Sequence, residues 1–516
     1  MILFCDFDGT LFRRDIEGEF ERNLEAIQRW RAAGNLFVMT TGRSPSSLGG
    51  VLPNYFDYFD YLIGDNGAVC LTKDGVEFEE TISEVAQRDI TEFVKKLPHG
   101  DEFEFVYDRD CHGFSDIQGA ATKLRIWTVN PEIMQATIAK LKERYESDFL
   151  MLGMHRAQPS LSFLHGTHTA AINIMAPTAG KDRALARIAA KHSGMRAFAV
   201  GDGGNDIAML QTYDGYIMRT ARDELRDGFN SWRLLNSVAE LIDRLMVFDD
   251  IEKKIGVSLC DEELKFYYDG STDSIVFNVL DKYIVKITNE RTVRNQQLFL
   301  SKNTHPAFQH LLCSDEKLHY ECFEFIDGVH YSSHPIEKRQ ATEQLAKIVQ
   351  SYAKFPHEGY GFLDDEKATW ADFLLDEIDY AKRRIPSISQ ARVMAALDVV
   401  REFPEPEQYL MHGDFGAHNF LSEGGQTIRV IDPMPMVGDR MYDFYLAVLS
   451  NVAIFRDLGE EYLMQFFADA DLRYRRALMV IALYVRMSRA AHYDNEHLPD
   501  YERLYEDDTW SEVAGQ

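Results

Sequence analysis

The sequence predicts an α/β domain on a parallel sheet with an α+β segment inserted in it, followed by a second α+β domain of two lobes. Three observations carry this. From Met1 to about Arg244, short β-rich runs alternate with helical stretches, the signature of parallel strands joined by crossover helices. Between about Phe78 and Pro177 the alternation breaks and then resumes. From about Ser258, hairpin-like strands come first and mostly helical sequence follows.

Taken in order, Ile2–Cys5 predicts the first strand, Asn23–Ala32 a helix and Leu36–Thr40 the next strand. Later, Ala197–Val200 predicts a strand and Asp206–Gln211 the helix after it. Chemistry collects at the carboxyl ends of such strands, so Asp6, Thr41 and Asp202, each just past an apolar run, are expected together. The inserted segment holds strand-like Phe103–Tyr107 and Leu124–Val129 and an amphipathic stretch at Ile133–Tyr145. The charged run Asp249–Lys254 is expected to be a linker. It separates a domain over about 1–246, with its insert over about 78–177, from one over 258–516. The second domain opens with strands Lys265–Tyr268, Ile275–Leu280 and Tyr283–Ile287.

At 516 residues the chain exceeds what one hydrophobic core supports, and an apolar share of 45% can fill two. A formal charge of -28 excludes nonspecific binding to nucleic acid or anionic lipid, which needs Lys and Arg in excess. It reads as a device for solubility. The six cysteines, Cys5, Cys70, Cys111, Cys260, Cys313 and Cys322, form no CxxC pair and are expected to be reduced thiols of a cytoplasmic protein. No basic leader precedes the first apolar run, so no signal peptide is expected. The apolar run Ala477–Val485 is too short to cross a bilayer.

Two constellations carry chemistry. In the first, Asp6 and Asp8 lie two apart in Phe4-Cys5-Asp6-Phe7-Asp8-Gly9-Thr10, which puts both carboxylates on one side of an extended strand end. Met39-Thr40-Thr41-Gly42-Arg43 offers a hydroxyl at a strand end, Lys181 opens a helix after Gly180, and Val200-Gly201-Asp202-Gly203-Gly204-Asn205-Asp206 adds two carboxylates. Phosphomonoester hydrolysis through a covalent intermediate needs a carboxylate nucleophile, an acid/base, a divalent cation and phosphate-binding groups. In this order the four elements resemble the haloacid dehalogenase (HAD) superfamily, and the position of the insert together with Asp65-Asn66-Gly67-Ala68 resembles its type IIB, Cof-like subgroup. That resemblance implies a Rossmann-like core with an α+β cap. It implies Asp6 as nucleophile, Asp8 as acid/base, and Thr41, Lys181 and Asn205 as phosphate contacts. It assigns Mg²⁺ to Asp6, Asp202 and the main-chain carbonyl of Asp8, with Asp206 binding the metal through water or orienting the Lys181 neighbourhood. Arg43 either touches substrate or forms a surface ion pair.

The second constellation is Leu410-Met411-His412-Gly413-Asp414-Phe415-Gly416-Ala417-His418-Asn419, then a strand-like Thr427–Ile431 that delivers Asp432. Transfer from ATP needs an acceptor base, two metal ligands, a phosphate lysine and a phosphate cradle, and the spacing from Asp414 to Asn419 is that of kinases. With the continuation to Asp443, the run resembles the aminoglycoside phosphotransferase and choline kinase-like families. The resemblance implies a bilobal protein-kinase-like fold, Asp414 as base, Asn419 and Asp432 on Mg²⁺, and Lys286 on the phosphates of ATP. His412 reads as a structural brace and His418 has no assigned role. Ser271, in Asp269–Phe277, belongs to a phosphate loop or to a plain hairpin turn. No acid stands out as the helix partner of Lys286: Glu290 follows too closely to lie on the next helix, and Gln296 or Gln297 occupies the expected place. Glu321–Gly328 reads as the hinge strand and its exit.

The expected function is a bifunctional Mg²⁺-dependent phosphatase and ATP-dependent kinase for sugar-like small molecules. The alternative is a phosphatase governed by a catalytically silent, ligand-sensing kinase-like domain.

Overall fold

Ile2, Leu3, Phe4 and Cys5 are all wholly buried, and a strand covered on both faces belongs inside a parallel sheet. In the computed structural model, which describes residues 1–109, 112–128, 130–145, 147–161, 167–259, 264–267, 274–333, 336–493 and 497–507, they form its central strand. The chain divides into two units, Met1–Phe248 and Asp249–Gln516.

The first unit contains β1 (Ile2–Asp6), β2 (Leu36–Thr40), β3 (Tyr61–Gly64), β4 (Val69–Thr72), β5 (Gly75–Glu79), β6 (Glu104–Arg109), β7 (His112–Phe114), β8 (Lys123–Thr128), β9 (Leu150–Leu161), β10 (Thr167–Met175), β11 (Ala197–Gly201), β12 (Asp214–Met218) and β13 (Leu234–Leu235). Its main sheet runs β13-β12-β11-β1-β2-β3-β4-β5. Pairing is parallel from β13 to β3, and β4 and β5 fold back antiparallel. β1 lies between β11 and β2, so Asp6, Thr41 and Asp202 emerge from three adjacent strands at one sheet edge. The insert is a five-stranded antiparallel sheet, β7-β6-β8-β10-β9. Helices Glu84–Lys95 and Pro131–Tyr145 cover it through Ile90, Val94, Met134, Ile138 and Leu141.

The second unit opens with an antiparallel sheet of β14 (Leu264–Tyr267), β15 (Ile275–Val279), β16 (Tyr283–Ile287), β17 (Leu311–Asp315) and β18 (Tyr320–Glu324), in the order β14-β15-β16-β18-β17. A helical lobe follows, in which helix Leu472–Tyr493 packs on Trp370–Arg384, Ala391–Arg401 and Arg440–Val448. Ala477–Tyr484 is fully buried at its centre. No helix of the described residues is long and apolar enough to cross a membrane.

Three expectations are corrected or bounded. The charged run Asp249–Lys254, expected as the linker, begins where the second unit begins and is helical, within Val238–Ile255. Leu241, Ile242, Leu245, Phe248 and Ile251 keep an apolar stripe through it, and Asp249–Lys253 and Asp250–Lys254 pair at i,i+4. Glu290 opens helix Glu290–Lys302, because the Asn289 side chain accepts from Thr292 N and caps the helix directly after β16. Ser271 lies outside the described residues, as do Val129, Tyr268, Cys111 and Cys260. Cys5, Cys70, Cys313 and Cys322 are free thiols.

Candidate functional site

In the first unit the end of β1 delivers Asp6, which is 6% exposed, beside the start of helix Lys181–Lys191. The Lys181 ammonium donates to Asp6 Oδ1 and, at 2.7 Å, to Asp206 Oδ1. Asp206 Oδ2 accepts from Gly203 N at 3.0 Å, and Thr10 Oγ1 donates to Asp202 Oδ1 at 3.1 Å. Asp6, Asp202 and Asp206 each present an oxygen within 4.8 Å of the others. Gly9 permits this closeness: its φ is +86°, and a Cβ there would lie 2.2 Å from Asp202 Oδ2.

Three carboxylates around one lysine leave an excess of negative charge out of water. Burial pushes the Asp6 carboxyl well above its usual range and Asp206 adds to the rise, while Lys181 opposes it. Asp202 is pushed up to about 6, by burial first and then by Asp206. Burial works against the Lys181 charge, but Asp206 and Asp6 outweigh it and hold its ammonium above the usual lysine range. An all-oxygen donor set with surplus charge fits a hard divalent cation such as Mg²⁺.

Asp8 stands apart. Its carboxylate is about half exposed and is gripped by Arg43, whose Nε donates to Oδ2 at 2.7 Å and whose Nη2 donates to Oδ1. A metal contact from Asp8 would therefore come through its main chain. The Thr41 hydroxyl is buried and accepts from Arg43 N at 3.1 Å, and Asn205 is exposed beside Asp206. Sequence reasoning missed Thr10 as a partner of Asp202. It also assigned no role to Asn66, whose buried Nδ2 has no partner and whose Oδ1 backs Gly42.

In the second unit the loop that carries His412, Asp414 and Asn419 is held from below. Asp443, on helix Arg440–Val448, accepts from His412 N at 2.9 Å, Gly413 N at 3.2 Å and Tyr352 OH at 3.0 Å. Burial lowers His412 to about 4, so its ring is neutral, and Nε2 donates to Ile431 O at 3.0 Å. That bond ties the loop to the segment bearing Asp432. Gly413, at φ +80°, passes so near Met434 O that a Cβ would lie 2.0 Å from it.

Asp414 is clamped on both sides. Its Oδ1 accepts from Arg489 Nη1 at 2.7 Å and its Oδ2 from His418 Nε2 at 2.8 Å, while Asn419 Nδ2 donates to its main-chain oxygen at 2.9 Å. Burial alone would raise this carboxyl; the His418 bond and the Arg489 charge hold it well below the usual range instead. Asp432 sits at φ 54°, a left-handed conformation that a non-glycine residue adopts only under constraint. The Lys286 ammonium pairs with its Oδ1, and Gln296 Nε2 donates to the same oxygen at 3.1 Å and to Pro433 O at 2.8 Å. Glu321, opposite Lys286 on β18, is fully buried and pushed up to about 8, mainly by burial. Arg489 was illegible in sequence because it stands 75 residues from Asp414. Glu321 was illegible because only strand register relates it to Lys286.

Solved structures with a similar fold include a protein of Streptococcus mutans UA159, 17% identical, covering 48% of this chain and 98% of that one with a TM-score of 0.38. A haloacid dehalogenase-like hydrolase from B. subtilis is 18% identical over 47% and 99% of the two chains, with a TM-score of 0.36. A structure described as a HAD subclass IIB sugar phosphatase is 16% identical over 49% and 98%, with a TM-score of 0.34. A search of curated proteins found no match. Residues 3–228 match the family model for haloacid dehalogenase-like hydrolases, and residues 295–480 match the phosphotransferase enzyme family. The chain is thus an enzyme that joins a haloacid dehalogenase-like hydrolase domain to a domain of the phosphotransferase family.

Proposed function

We propose that the first domain is a Mg²⁺-dependent phosphomonoester phosphatase and the second an ATP-dependent kinase, each acting on a sugar-like small molecule. The observation that carries the first half is the convergence of Asp6, Asp202 and Asp206 on one point, with buried Lys181 paired to Asp6 and Asp206. An Asp6 oxygen attacks phosphorus and the substrate's ester oxygen departs, taking a proton from Asp8. Asp8 then removes a proton from water, whose oxygen attacks the aspartyl phosphate and frees inorganic phosphate and Asp6. Arg43 holds Asp8 at the mouth of the site and must loosen when the proton moves. Thr41, Lys181 and Asn205 bind the phosphoryl oxygens. Asp6, Asp202 and Asp206 would hold Mg²⁺, which when bound neutralises charge on the phosphoryl group.

In the second domain Asp414 accepts the proton of the acceptor hydroxyl as its oxygen attacks the γ-phosphate and ADP leaves. Asn419 and Asp432 would hold Mg²⁺ and Lys286 the phosphates. Ser271 remains our candidate for the phosphate loop. Two activities on one hydroxyl would only consume ATP, so the two domains act on different positions of one metabolite or at successive steps. Free cysteines suit a cytoplasmic setting.

A phosphate-release screen over a metabolite panel tests the first half: release should vanish in Asp6→Asn, and equal release by both proteins would refute it. ATP consumption with candidate acceptors should fall by about 10²–10⁴-fold in Asp414→Asn. A second reading, a silent nucleotide-sensing domain, is favoured by Gln296 standing where a helix acid would neutralise Lys286. Magnesium-dependent ATP binding without turnover over a broad acceptor panel would select it.

A further inference from the structure

We propose that Glu321, on strand β18, is the acid that positions Lys286 for nucleotide, replacing from the sheet what helix Glu290–Lys302 lacks. The inference rests on the reading of the second domain as an ATP-dependent kinase.

The helix presents Gln296 toward the lysine's partner, and its amide is spent on Asp432 Oδ1 and Pro433 O. A carboxamide brings no charge to balance an ammonium. Among the described residues, the ion pair of Lys286 is with Asp432. Asp432 is also the proposed metal ligand, so binding Mg²⁺ draws the same oxygens away from the lysine. The ammonium then needs another carboxylate.

β16 and β18 pair antiparallel with Lys286 directly opposite Glu321, and directly opposite residues project from the same face of a sheet. Glu321 is 0% exposed, and neither Oε1 nor Oε2 has a partner. Buried polar groups are ordinarily satisfied, so a carboxyl with both oxygens idle is an acceptor in waiting. Rotation of the Lys286 side chain from Asp432 to its cross-strand neighbour meets both needs, with the strands themselves unmoved. Glu321 touches neither the γ-phosphate nor the acceptor in this scheme. It is a positioning residue, and its effect is on nucleotide affinity.

The test measures Mg-ATP binding to the full chain by calorimetry, with thermal unfolding of the full chain as a folding control. Glu321→Gln should weaken Mg-ATP binding by about tenfold, the value of one charge-assisted contact. Gln296→Glu added to that variant should restore it, because the acid then returns on the helix. Unchanged affinity in Glu321→Gln overturns the proposal and leaves the kinase reading standing. So does a loss that Gln296→Glu fails to rescue, since a packing defect would produce that result. Should Glu321→Gln unfold the domain, Gln296→Glu alone decides: little change shows that an acid already serves Lys286, whereas a gain of about tenfold shows that none does. Wild-type protein that binds no Mg-ATP overturns the kinase reading and this inference together.

Discussion

The two buried lysines Lys181 and Lys286 differ in what surrounds them. Lys181 is sunk among three carboxylates that chain topology delivers to one place: Asp6 at the end of β1, and Asp202 and Asp206 just past β11. Lys286 is nearly as buried, yet its ion-pair partner Asp432 has a side chain 48% exposed. The first arrangement accumulates negative charge. In the second, Asp414 has cationic company in Arg489, and Asp432 pairs with a lysine. One site therefore gathers more carboxylates than cations, and the other pairs its lysine with an acid that reaches water.

The sharpest way to break this contrast is the same substitution in both. Lys181→Met leaves buried carboxylates without a counter-charge, which costs about 3–5 kcal/mol, and it abolishes phosphate release. Lys286→Met removes a pair whose acid reaches water, so its cost in stability is about 0–1 kcal/mol, whatever it does to ATP binding. Thermal unfolding in metal-free buffer measures both. Added Mg²⁺ should recover part of the Lys181→Met loss, because the cation binds the folded carboxylate cluster and not the unfolded chain. Equal losses for the two variants would erase the distinction.

A smaller effect is expected at Arg489. Its guanidinium helps hold Asp414 below the usual carboxylate range against the opposing effect of burial. Arg489→Met should therefore raise the pKa of the base, so that a higher pH is needed to deprotonate it. The acid limb of kcat/KM for ATP-dependent transfer should move up by about 1–3 pH units. A profile that stays in place would assign Arg489 to packing alone.

Much of the fold was legible in the sequence because the candidate residues follow strands directly. Asp6, Thr41 and Asp202 could be brought together from strand order alone, since the carboxyl ends of neighbouring parallel strands share one edge. Asp414, Asn419 and Asp432 were legible from spacing within a single loop and hairpin. What escaped depends on register or on distant helices. Glu321 stands opposite Lys286 because β18 pairs with β16 in one particular alignment, and a shift of one residue would have turned it to the other face. Arg489 reaches Asp414 from helix Leu472–Tyr493, where it reads as one more cation on a mostly buried helix. Asp249–Lys254 is the opposite case: its charge marked the start of the second unit, while the apolar spacing of Leu241, Leu245, Phe248 and Ile251, which carries a helix through it, was passed over.

The smallest effect concerns the support of the kinase loop. Asp443 is fully buried, and burial raises it to about 6 even though His412 N, Gly413 N and Tyr352 OH all donate to it. An unfolded aspartate titrates near 3.9, so between about pH 4 and pH 6 the folded state holds a proton that the unfolded state has released. Stability from this group is fully present below that window and is lost as pH rises through about 6. The loss is on the order of 2–3 kcal/mol. Asp443→Asn keeps an oxygen that can accept from both loop amides but removes the titration. Its unfolding free energy should change less with pH across the window than the wild type's does. An unchanged pH slope would mean that the buried carboxylate is compensated elsewhere in the loop.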